Sequence, residues 1–87
     1  MEQSGQARTW TAEEIEEIRK IRKLQLLINL VMQEIATSPE LTVEQASEMV
    51  ANARRTALAM FPGKELAFDL LYRPRLQRMM NERFRIQ

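Results

Sequence analysis

Residues 11–35, TAEEIEEIRKIRKLQLLINLVMQEI, decide the fold of this chain, because they read as one long helix whose second half is too apolar to face water. Thr11 and Glu14 have the spacing of a capping box, in which the hydroxyl of the first takes the backbone N–H of the second and the carboxylate reaches back. Trp10 and Ile15 flank that cap at the spacing of a hydrophobic staple. Glu13, Glu14, Glu16 and Glu17 fill the first turns, where the positive end of the helix dipole favours carboxylates, and Arg19, Lys20, Arg22 and Lys23 follow them. Glu16 and Lys20 are favourable neighbours four apart, whereas Glu13 and Glu17 repel, so this half of the helix reads as a solvated surface.

Ile15, Ile18, Ile21, Leu24, Ile28, Val31 and Ile35 recur at steps of three or four, the pattern of one helical stripe. Strict heptad alternation runs only from Ile21 to Ile35, about two heptads where a free-standing coiled coil needs three or four. Leu26, Leu27, Leu30 and Met32 widen the stripe, and such a helix is buried by several neighbours. Gln25 and Asn29 interrupt an apolar run well short of the 18 or so residues of a membrane span, so no span is expected.

Outward from this helix, Pro39 holds Ser38 away from helical geometry and ends the helix near Ala36. The short link that follows brings the next helix back beside the first. Thr42 with Gln45 is a second capping box, opening a helix over residues 43–60 with Ala46, Met49, Val50, Ala53, Ala57, Met60 and Phe61 on one face. Its alanines predict a close approach of the two helix axes. Pro62 and Gly63 stop it. A third, short helix is expected over 64–72, carrying Leu66, Phe68, Leu70 and Leu71 as core-like residues, and a fourth over 75–84 with Leu76, Met79, Met80 and Phe84. Pro74 predicts a break or sharp bend between them. No stretch alternates as a strand does. The expectation is an all-α bundle of three to four helices, with a long first helix, an antiparallel second and a short bent pair closing the far end. Residues 1–9 read as a flexible leader and residues 10–87 as a single domain.

An 87-residue chain buries only about 60 to 65 % of its unfolded surface, so self-association is an available source of stability. With no Cys and no His, disulfides and the usual zinc sites are excluded, and neither a metal nor a cofactor is expected. The lack of Cys suits a reducing cytoplasm, the location expected here, and MEQSGQAR has no signal-peptide character. The net charge of +1 hides an asymmetry: residues 1–50 hold five Lys or Arg against nine Glu, while residues 51–87 hold eight against three acids. Two such halves can dock on each other, or the basic half can meet nucleic acid or acidic lipid.

Catalysis needs a group that titrates usefully or an activated nucleophile, and none stands at a telling spacing. The glutamates of the first helix are a solvated helix start rather than a metal site, and Gly63-Lys64 lacks the flanking residues of a phosphate loop. The chain therefore reads as non-enzymatic. Arg73, Arg75, Arg78, Arg83 and Arg85 stand out as the possible contacts for phosphate or an acidic partner, since the guanidinium fork suits both. Three roles are open to them: pairing within the chain or between copies, nucleic-acid backbone, and an acidic membrane surface. A helix-turn-helix is disfavoured, because the helix after Pro62-Gly63 is apolar and carries Asp69. The leading expectation is an interaction module forming a homo-oligomer, or joining another protein, through Leu24, Leu27, Ile28, Val31 and Ile35. A small nucleic-acid-binding regulator using the arginines is the alternative.

Overall fold

The computed structural model describes residues 9–85, and the leader assigned to residues 1–9 lies outside them except for Thr9. The described residues form four helices and no strand: α1 (Ala12–Thr37), α2 (Val43–Met60), α3 (Glu65–Leu71) and α4 (Arg73–Phe84). The protein is an all-α bundle with a long first helix, 54 × 26 × 20 Å in extent.

Both capping boxes form. Thr11 N–H donates to Glu14 Oε1 at 2.9 Å and Glu14 N–H to Thr11 Oγ1 at 3.0 Å, while the Thr42 and Gln45 pair closes at 3.0 and 3.1 Å. α1 runs one residue past the expected stop: the Ser38 N–H donates to the Glu34 carbonyl and closes the last turn, and the Thr37 hydroxyl donates to the Gln33 carbonyl at 2.7 Å. Ser38, ahead of Pro39, then turns extended (φ −89°, ψ 107°). α2 ends at Met60 with Phe61 as its cap, and Gly63 then takes φ +79°, a left-handed conformation that glycine adopts without steric penalty.

The helix breaks ahead of Pro74 rather than kinking at it. Tyr72 is both the last cap of α3 and the first of α4, and Pro74 lies in the first turn of α4, where no backbone donor is needed. α4 accordingly starts at Arg73, two residues before the expected start.

The core contains Leu24, Ile28, Val31 and Ile35 of α1, the Ala46, Ala53 and Ala57 line of α2, Phe68 of α3, and Leu76 and Met80 of α4. α2 returns antiparallel to α1 through the short link. α4 runs in the same direction as α1, since Arg75 lies by Gln25 and Asn29 while Arg83 reaches Ser38. Only α3 closes the far end. The expectation that both short helices would do so is corrected here: α4 lies along the bundle as its third long wall.

Candidate functional site

The surface begins where the core ends, and α1 shows why. At about 100° per residue, the steps of four, three and four from Leu24 to Ile35 keep those side chains on one line, but three consecutive steps of three carry Ile21, Ile18 and Ile15 about 60°, 120° and 180° away from Leu24. The seven residues are therefore not one buried stripe. No residue of α1 before Leu24 is buried, and Ile15 and Ile21 are 39 % and 42 % exposed. The first three turns of α1 carry no buried residue, and Glu14, Ile18 and Lys20 are half-buried there.

Of the residues expected to form an oligomer interface, Leu24, Ile28, Val31 and Ile35 are buried in the chain's own core and Leu27 is partly buried against it. That placement is corrected for a physical reason: α2 alone would leave the apolar face of α1 open, but Leu76 and Met80 of α4 cover the rest of it. The exposed apolar side chains lie elsewhere. Leu26 and Leu30 point away from the core on the back of α1. Leu66 and Leu70, one turn apart on α3, are 72 % and 67 % exposed, and Leu71 is exposed beside them. Their expected core role is overturned because a two-turn helix packs one narrow line inward, and Phe68 occupies it.

At the junction of α1, α2 and α3 an open apolar hollow of about 360 Å³ is lined by Ile21, Leu24, Ala57, Leu58, Phe61 and Leu71, among others. Lys20 and Lys64 stand at this end of the molecule, Lys20 with its ammonium 6.0 Å from the Phe61 ring centroid, so the rim is cationic. A second, larger groove of about 500 Å³ lies between α2 and α4. Phe68, Leu76 and Met80 form its apolar floor, and Ser47, Arg54, Asp69, Arg73, Gln77 and Asn81 its polar walls.

The arginines do not act as one cluster. Arg83 is structural: its Nη2 donates to the Ser38 carbonyl at 2.8 Å and the Pro39 carbonyl at 3.4 Å, and its guanidinium lies 4.8 Å from the Phe84 ring centroid. α1 has no basic residue in its last turn, so Arg83 brings the positive charge that the negative end of its dipole favours. Arg85 ends α4 in a left-handed conformation (φ 55°). Arg73 lines the polar groove, Arg75 lies over Gln25 and Asn29, and Arg78 is exposed on α4. Arg73, Arg75 and Arg78 form no ion pair among the described residues.

The charged pair that sequence reading missed is Arg54 with Asp69, bonded through two oxygens at 3.0 and 3.2 Å. These bonds to Arg54 hold the Asp69 carboxyl below its ordinary value, aided by the charges of Arg54 and Arg73, and the same bonds raise Arg54. Separated by 15 residues and a turn, the two carry no local signal in the sequence.

Among the described residues no group of three or more His, Cys, Asp or Glu is placed to hold a metal ion, and no helix is long and apolar enough to cross a membrane. Compared with protein-family models, curated proteins and solved structures, the chain matches none.

Proposed function

We propose that this protein is a non-enzymatic interaction module that self-associates through the apolar side chains that α1 and α3 leave outside the core. The observation that carries the reading is the exposure of large apolar residues in a bundle whose interior is already filled: Ile21 and Leu71 are exposed where they line the apolar hollow, and Ile15, Leu66 and Leu70 are exposed on the same two helices. Single exposed leucines are ordinary on any surface, but exposed apolar side chains that line a concave apolar hollow are what a partner covers. The absence of both Cys and His supports the non-enzymatic part, and the absence of Cys goes with a reducing, cytoplasmic setting.

Sedimentation velocity at low salt, followed at 260 and 280 nm, tests it. A discrete dimer or larger assembly free of nucleic acid is expected. A chain that stays single at about 1 mM, where even weak pairing would register, overturns it. The same observation would fit a different protein as occupant, and a monomer that co-purifies stoichiometrically with one would point there.

One observation favours the nucleic-acid reading as a second: Arg73, Arg75 and Arg78 have no acidic partner at bonding distance among the described residues. That reading expects affinity to fall with about 0.9 powers of salt per phosphate contacted. It is ruled out if replacing Arg75 and Arg78 leaves binding unchanged.

A further inference from the structure

We propose that the groove between α2 and α4 binds the free C-terminal end of an extended peptide, with the terminal carboxylate on Arg73. This surface shares only Phe68 with the apolar hollow, so it goes beyond the self-association reading.

Both walls of the groove are helical stripes. Ser47, Val50, Ala51 and Arg54 follow one another on α2 at steps that keep them on one face, and Arg73, Leu76, Gln77, Met80 and Asn81 do the same on α4. The eight helical steps from Arg73 to Asn81 make a track roughly 12 Å long, the reach of about four residues of extended chain. The helices run antiparallel, so Arg54 and Arg73 share one end of it and Ser47 and Asn81 the other.

Charge decides what the first of these ends accepts. Arg54 is bonded to Asp69 at 3.0 and 3.2 Å, and those two charges cancel. Arg73 acts on the same carboxylate from a distance, with no ion pair or hydrogen bond among the described residues. Two guanidiniums against one carboxylate leave one positive charge in the lining, which one incoming carboxylate neutralises. Glu65 acts on Arg54 from outside the lining, and Arg78 offsets it on the outer side of Arg73. The fork of Arg73 can take a carboxylate through two bonds.

The rest of the groove fits a peptide main chain. The side chains of Ser47, Gln77 and Asn81 bond to no other described residue, and along the two walls they offer donors and acceptors to backbone amides. Val50, Leu76 and Met80 lie between them as an apolar strip, and an extended chain turns every second side chain onto it. The peptide ends at Arg73 because Phe68 and Asp69 bring α3 across that end and the bonds from Arg54 hold it there. A peptide's amino end is kept from the same position by its own positive charge.

NMR titration of the isotope-labelled chain with acetyl-Ser-Leu-Ser-Leu carrying a free carboxylate tests this. Saturable shifts are expected in the backbone amides of 47–54 and 73–81 and in the side-chain amides of Gln77 and Asn81, with half-saturation below about 1 mM. The same peptide ending in a carboxamide forfeits the charged pair and is expected to bind about tenfold more weakly. Arg73→Gln, at an exposed position, is expected to weaken the free acid by a similar factor and to leave the carboxamide unaffected. Gln77→Glu places a carboxylate one turn from Arg73 and is expected to weaken the free acid as well, with helical circular dichroism retained. Equal binding of acid and carboxamide, or acid binding untouched by Arg73→Gln, overturns the role of Arg73. A carboxamide peptide with an internal aspartate that binds as tightly as the free acid overturns the terminal assignment. Shifts confined to the residues of the apolar hollow, or none at about 1 mM, overturn the site itself.

Discussion

Arg54 of α2 and Asp69 of α3 meet through two parallel bonds, Nε to Oδ1 at 3.0 Å and Nη2 to Oδ2 at 3.2 Å, and so fasten the short capping helix to the end of the bundle. The planar guanidinium fork matches the carboxylate, a fit that lysine cannot reproduce. Because Asp69 is held below its ordinary value, its contribution is present at neutral pH and is lost as pH falls through the lowered value. The window lies below about pH 4, the region of an unperturbed carboxyl. Asp69→Asn is expected to remove that part of the acid limb, so that variant and natural chain converge in stability at low pH and separate above it. Thermal unfolding between pH 2 and 7 measures this, and a constant gap across the range would contradict it.

The core predicts sharp positional contrast. Ile35 is fully buried, so Ile35→Ala is expected to cost about 2–5 kcal/mol, a large share of what so small a domain holds. Ala53 is buried in the core, and Ala53→Leu is expected to cost about 1–3 kcal/mol by overpacking. Leu30, on the back of α1, is 56 % exposed, and Leu30→Ala is expected to stay within about 0.5 kcal/mol. Urea titrations of the three variants, made at a concentration where the chain is monomeric, rank them.

Arg83 separates from its neighbours in the same way. Arg83→Met keeps the apolar stem but removes the bond to the Ser38 carbonyl and the charge at the end of α1, and is expected to cost about 1–2 kcal/mol. Arg78→Met, on the exposed face, is expected to change stability by less than about 0.5 kcal/mol. Equal losses at the two positions would show that the Ser38 contact contributes nothing.

The two capping boxes have the same chemistry and unequal consequences. Thr42 opens a helix that packs in the core from Ala46 onward, so Thr42→Ala is expected to lower global stability by about 1 kcal/mol. Thr11 caps turns that carry no buried residue, so Thr11→Ala in the monomer is expected to fray them locally. Amide hydrogen exchange distinguishes the two: faster exchange confined to the turns after Thr11 in one case, and across the whole bundle in the other.

Much of the fold was legible because its determinants are local. Thr11 with Glu14 and Thr42 with Gln45 mark helix starts within four residues, and Pro39, Gly63 and Pro74 mark stops by excluding a helical neighbour, allowing a left-handed turn or lacking a donor. The candidate surface was less legible. Leu66 and Leu70 look like core because periodicity tells which residues share a face but not which face turns inward, and in two turns one phenylalanine settles the choice. The stripe from Ile15 to Ile35 misled for a related reason, since steps of three drift around the helix by about 60° each and only alternation with steps of four cancels the drift.

By itself the sequence determined the all-α class, the caps and the stops, all of which depend on spacing along one stretch of backbone. Only the tertiary structure decided that Leu24, Ile28, Val31 and Ile35 are covered within the chain, that Arg54 holds Asp69, and that Arg83 completes the end of α1 from 45 residues away. Those contacts join segments whose meeting depends on how three helices pack at once, and no local pattern encodes which side chains that packing brings together.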